Sequence, residues 1–168
     1  LAISLFDQTS SLHGLGAEER VLLEAAAMLH DIGGFVSATS HHKHAHYLIR
    51  SSDLVGLSES EREIVALAAR YHRRSHPKRT HPEFQQRTRE ERDRVKKIAA
   101  ILRLADALDR EHQTKVASVE AKIGQRYLDL VLTAANAADG DLALEHWAVH
   151  RKGSLFVEAF GLQPRVVT

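Results

Sequence analysis

The stretch LLEAAAMLHDIGG, residues 22–34, decides how the chain is read. Val21, Leu22, Ala25, Met28, Leu29 and Ile32 recur at spacings of three and four, the period of a helix face packed on a core. The pattern predicts a helix over 17–31, stopped by Gly33 and Gly34. Its last residues, His30 and Asp31, put an imidazole and a carboxylate side by side at a helix end. That pair suits a divalent cation with open coordination positions. A capping aspartate beside a packed histidine is the plainer alternative.

Outward from this helix, residues 1–12 read as the end of another helix, closed by Gly14 and Gly16, so that the chain looks like a fragment cut through an element. A third helix is expected over 43–51 with Ala45, Leu48 and Ile49 inward. Ser58 with Glu61, and Thr88 with Glu91, form capping boxes that open two more helices, one ending at His72 and one carrying Asp106 and Asp109 near its end. Two prolines make residues 73–82 a loop. After His112 the period changes to two: strands are expected over 116–123 and 127–132, with Leu142 and Leu144 as a third, then a helix over 147–160 and a short strand at 165–167. The fold class is therefore mainly α, with a helical domain over 1–113 and a small α+β subdomain over 114–168.

The 168 residues contain no cysteine, which excludes disulfides and thiolate metal sites and fits a reducing compartment. No apolar run reaches the length of a membrane span, and no signal peptide is present, so a cytoplasmic protein without membrane contact is expected. Any metal must be held by carboxylates and by some of the 12 histidines. Residues 1–69 carry 4 basic and 9 acidic groups, whereas residues 70–97 carry 11 basic and 4 acidic. The middle of the chain is thus a candidate anion surface, with Arg70, Arg73, Arg74 and Lys78 as phosphate-binding candidates, although a solvated helix face explains the same charges. Nucleic acid is disfavoured by the 9 aromatic residues and the lack of a recognised motif.

Asp106 lies in LRLADALDR, an apolar helical stretch where an unpaired carboxylate is costly, so it needs a cation, an arginine or a hydrogen-bond network. Arg103 or Arg110 would serve as well as a metal. Four segments, LLEAAAMLHDIG, HHKHAHYLIRSSDLVGL, EREIVALAARYHRRSHPK and AAILRLADALDREH, together resemble the C-terminal HD domain of the exopolyphosphatase and guanosine pentaphosphate phosphohydrolase family, Ppx/GppA. The resemblance runs from Leu22 to His112 and extends, less specifically, into the α+β tail.

It implies that His30, Asp31 and Asp106 are metal ligands, that His44 and His72 hold a second ion, and that Asp31 is catalytic. The implied cofactor is Mg or Mn, with Zn or Fe as alternatives. The superfamily's first ligand histidine would lie upstream of Leu1, since His13 falls beyond that helix, and the family's actin-like N-terminal domains are not in this sequence. The fragment is therefore expected to be catalytically incomplete. The parent protein would be a cytoplasmic homodimer that cleaves phosphoanhydrides in polyphosphate or guanosine pentaphosphate and serves the stringent response. A non-catalytic polyphosphate-binding and dimerisation module, or a stand-alone HD nucleotide phosphodiesterase, are the alternatives. His41, His42 and His46 receive no role and read as a solvated polar face.

Overall fold

The computed structural model describes residues 1–110, 112–136 and 141–167. The helical body runs α1 (Ala2–Gln8), α2 (Ser10–His13), α3 (Ala17–Leu29), a 3-10 turn (Ile32–Phe35), α4 (His41–Arg50), α5 (Glu59–Tyr71), α6 (Pro82–Gln85) and α7 (Arg89–Leu108). The tail adds β1 (Val116–Ile123), β2 (Tyr127–Ala134), α8 (Ala143–Lys152), α9 (Ser154–Phe160) and β3 (Gln163–Val167). The fold is mainly α with a small α+β part.

Both capping boxes form: the Ser58 and Thr88 hydroxyls accept from the Glu61 and Glu91 amides, and each glutamate accepts the cap residue's own N–H. Two of the four amide groups orphaned at each helix start are satisfied in this way. The first helix expected over 1–12 is broken at Thr9, whose hydroxyl donates to the Leu5 carbonyl at 2.7 Å. In α3 the buried face is Leu22, Leu23 and Ala26, while Val21 and Met28 are exposed, so the apolar stripe is rotated from the one expected.

α7 is the central element. From Ile98 to Leu108 it is buried on nearly every side, because α1, α3 and α5 pack on one part of its surface and α8 and α9 on another. A helix apolar all round is stable only when enclosed. Among the described residues no helix is long and apolar enough to cross a membrane.

The sheet order is β1-β2-β3. β1 and β2 are antiparallel, with a register shift between Val116 and Ser118, and β3 runs parallel to β2. A parallel neighbour needs a long crossover, and α8 and α9 supply it. The expected strand at Leu142 and Leu144 is the start of α8 instead. Glu145, Ala148 and Val149 are buried at helical spacing and Leu144 is about half exposed, so the two leucines fit period two only by coincidence. The single helix expected over 147–160 is two, α8 and α9, with Gly153 between them, where a Cβ would lie 2.5 Å from Pro164 Cγ and 2.8 Å from the Val149 carbonyl.

Candidate metal centre and anion pocket

The carboxyl ends of α3, α5 and α7 meet the amino end of α4. His30 is the C-cap of α3, Asp31 follows it, His72 is the C-cap of α5, and Asp106 sits in the last turn of α7. Three helix ends with outward carbonyls make this a place that favours positive charge. His41 is the first residue of α4.

Two features aim His41. Gly33 packs so closely on α4 that a Cβ would lie 2.0 Å from the His41 carbonyl oxygen and 2.4 Å from the Ala45 nitrogen. Ser40 takes a left-handed conformation, φ 60°, uncommon for a residue with a side chain. The turn after Asp31 is thereby pressed against the first turn of α4.

Four imidazoles surround the Asp31 carboxylate. Oδ1 lies 3.1 Å from His41 Nε2 and 3.7 Å from His72 Nε2, and Oδ2 lies 3.2 Å from His30 Nε2 and 3.4 Å from His112 Nε2. His30 Nδ1 donates to the Ala27 carbonyl at 2.8 Å and His72 Nδ1 to the Ala69 carbonyl at 2.6 Å. A carbonyl only accepts, so both Nδ1 atoms carry the proton and both Nε2 atoms present a lone pair inward when the rings are neutral. Backbone partners on the far nitrogen are the usual orienting contacts of metal-binding histidines.

The electrostatics distinguish the two rings. Burial pushes the His72 pKa down to about 3, which keeps that ring neutral. His30 experiences the same pull from burial, but its hydrogen bond to Asp31 and that carboxylate's charge outweigh it and raise its pKa. The His30 hydrogen bond, against burial and with the charges of His30, His72 and His41, holds the Asp31 pKa well below the usual carboxylate range.

His30, Asp31 and His72 offer ligand atoms that all lie within 4.8 Å of one another. His30 Nε2 is buried against the Asp31 carboxylate, 3.2 Å away. A nitrogen so placed, among other inward lone pairs and one carboxylate, fits a divalent cation. Asp106 lines the same small cavity, about 60 Å³, together with Asp31, His41 and His72. Its ion partner is neither Arg103 nor Arg110 but Lys152, the last residue of α8.

His44, to which the resemblance gave a role, does not line this cavity; it is half-buried, three residues further along α4. His42 and His46 are buried rather than solvated. His46 and Arg50 flank the buried Glu63, at 3.6 Å and 3.1 Å. His41 and His112 are the groups that sequence reasoning left out.

Beside the centre lies a pocket of about 480 Å³ walled by Arg73, Arg74, Arg103, Arg110, Arg151 and Lys152, with Trp147 at its side. Arg151 stacks on the Trp147 ring at 5.1 Å. Arg103 is buried; it donates to the Tyr71 carbonyl at 3.1 Å and the Arg74 carbonyl at 3.3 Å, and its Nε has no partner. Of the four phosphate-binding candidates, Arg73 and Arg74 are on this pocket. Arg70 is not, being paired with Glu83 at 2.9 Å, and Lys78 is exposed elsewhere. The basic stretch is also less free than its charge implied, since Arg94 pairs with Glu18 and Glu19, Lys96 with Glu158 and Lys97 with Asp93.

Fold and site thus define a mainly α domain whose helix ends gather a His–Asp cluster next to a basic pocket. The family described as Ppx/GppA phosphatase, domain III, matches residues 1–152, and the chain belongs to that family. It is 29% identical over 161 residues to a guanosine-5'-triphosphate,3'-diphosphate pyrophosphatase of Pseudoalteromonas atlantica (strain T6c / ATCC BAA-1087), covering 91% of this chain and 31% of that relative. A protein of the same description from Pseudoalteromonas translucida (strain TAC 125) is 36% identical over 52 residues, 31% of this chain and 10% of the relative. The chain spans less than a third of the length of these curated relatives.

Proposed function

We propose that the chain is the HD-type domain of a phosphoanhydride hydrolase, binding a divalent cation between His30, Asp31 and His72 with His41 and His112 at its margin. The observation that carries this reading is the convergence of four Nε2 atoms on one ionised carboxylate at three helix ends. Such a cation supplies polarisation of a phosphoryl oxygen and acidification of water. Asp31, with its depressed pKa, is the charged anchor of the centre and a poor proton acceptor. Arg73, Arg74 and Arg110 neutralise the phosphates, and Arg103 is fixed by backbone carbonyls so that its charge is preorganised. The imidazole-rich donor set favours Fe or Zn over Mg, with Mn between them.

The substrate is guanosine pentaphosphate or polyphosphate; the description carried by both relatives supports the former. We also propose that residues 1–113 form the HD unit and 114–168 a subdomain packed on α7, within a cytoplasmic homodimer that has actin-like domains. A second reading, a phosphate-binding module without its own chemistry, is favoured by one contact, the occupation of Asp106 by Lys152. Elemental analysis and phosphate release from pppGpp decide between them. Metal retained by the chain and lost in Asp31→Ala, with release that needs Asp31, supports the hydrolase; anion binding without metal or release supports the module.

A further inference from the structure

Asp106 and Lys152 come from elements 46 residues apart, and the pair is largely shielded: their side chains are 7% and 16% exposed. A carboxylate at that depth requires a cation. Lys152 is therefore the cation that stands where a divalent ion would otherwise use Asp106.

Lys152 also faces two cavities. It lines the small one with Asp31, His41, His72 and Asp106, and the basic pocket with Arg73, Arg74, Arg103, Arg110 and Arg151. Its helix is fixed behind it by the close packing of Gly153 on Pro164. The flexible four-carbon stem remains, and it lets the ammonium turn between neighbouring partners. Against so many fixed positive charges, a divalent cation added alone meets repulsion from Arg73, Arg110 and Lys152, and a dianion in the pocket offsets it.

We propose that the pocket between α7 and α8 is a site for a tetrahedral dianion of the phosphate or sulfate type, and that Lys152 couples it to the metal centre. With no anion bound, the ammonium holds Asp106. A dianion draws Lys152 towards the pocket, Asp106 joins the donor set, and anion and cation bind cooperatively. The inference rests on the metal reading above and adds a regulation of that centre.

The test titrates Co²⁺ into the chain with and without sulfate, following the visible absorption of the bound ion, for the wild type, Lys152→Gln and Asp31→Asn. Sulfate is the probe because it binds Co²⁺ weakly on its own. Wild-type affinity for Co²⁺ is expected to rise about tenfold in saturating sulfate, within the ordinary range of coupling between sites. K152Q should bind Co²⁺ more tightly without sulfate and respond to sulfate by less than about twofold. A K152Q response equal to that of the wild type overturns the coupling. If Asp31→Asn loses Co²⁺ while K152Q behaves as wild type, only the coupling falls; if Asp31→Asn binds Co²⁺ like the wild type, the metal reading falls with it. Linkage supplies a check that needs no variant: Co²⁺-saturated wild type must bind sulfate more tightly by the same factor, and a sulfate affinity indifferent to Co²⁺ ends the proposal.

Discussion

The Nε2 atoms of His41 and His72 face each other at 3.3 Å, with the rings stacked at an interplanar angle of 15°. His72 has its proton on Nδ1, held by the Ala69 carbonyl, so its Nε2 can only accept. The two nitrogens are reconciled either by a proton on His41 Nε2 or by a cation between them.

That relationship gives the first prediction. His72→Ala removes an inward lone pair, and His41→Ala removes the group facing it; each should lower Zn²⁺ or Mn²⁺ affinity by at least about tenfold. His44→Ala, outside the cavity, should leave affinity unchanged. Calorimetric titration of the three variants checks this, and equal losses for His44 and His41 would show that α4 is oriented differently in solution.

Gly33→Ala tests how the turn after Asp31 is seated. The added methyl group would overlap the His41 carbonyl and the Ala45 amide, both backbone atoms that cannot rotate aside. Overpacking of this kind costs about 1–3 kcal/mol, and here it should also displace His41. Urea denaturation should report the lost stability and metal titration a weaker site. Gly34→Ala is the control, because nothing lies within 4 Å of its Cβ position.

Much of this was legible in the sequence, and what was not has a common cause. His30, Asp31, His72 and Asp106 each end an apolar run or sit within one, and capping boxes fix where α5 and α7 begin, so the helix ends with titratable groups could be read locally. His41 could not, because its direction depends on the close approach at Gly33 and the left-handed turn at Ser40. Lys152 and Arg151 reach the pocket through the β2-to-β3 crossover, which no charge count along the chain reveals. The same count overstated residues 70–97, since partners such as Glu18 and Glu158 come from distant elements.

The acid limb of stability should carry a signature of Glu63. Burial raises its pKa, but the neighbouring His46, Arg50 and Arg87 lower it more, and the net shift is downward. A carboxylate with a folded pKa below its unfolded value contributes stability above the unfolded value, near 4.5, and loses it as pH falls through the folded one. Glu63→Gln should therefore be less stable than wild type at neutral pH, with the difference shrinking below pH 4.5. Thermal melts across pH 3 to 7 measure it; a difference independent of pH would assign the cost to packing alone.

The basic pocket makes a prediction about salt. Arg74 and Arg151 wall the pocket from a loop and from α8, and both are exposed, so their removal should cost little in folding. Each contributes charge-assisted hydrogen bonds to a bound phosphate chain, and losing one should weaken tripolyphosphate binding by about tenfold. Exposed charge contacts are screened within about 8–10 Å at physiological ionic strength, so wild-type affinity should fall steeply as salt rises. In Arg74→Ala and Arg151→Ala the fall should be shallower, because fewer contacts remain to be screened. Arg70→Ala and Lys78→Ala should follow the wild-type curve, since Arg70 is already neutralised by Glu83 and Lys78 lies off the pocket. Metal-free titrations of tripolyphosphate at several salt concentrations separate the cases, and a flattened curve for Lys78→Ala would place the anion along the linear basic stretch instead of between α7 and α8.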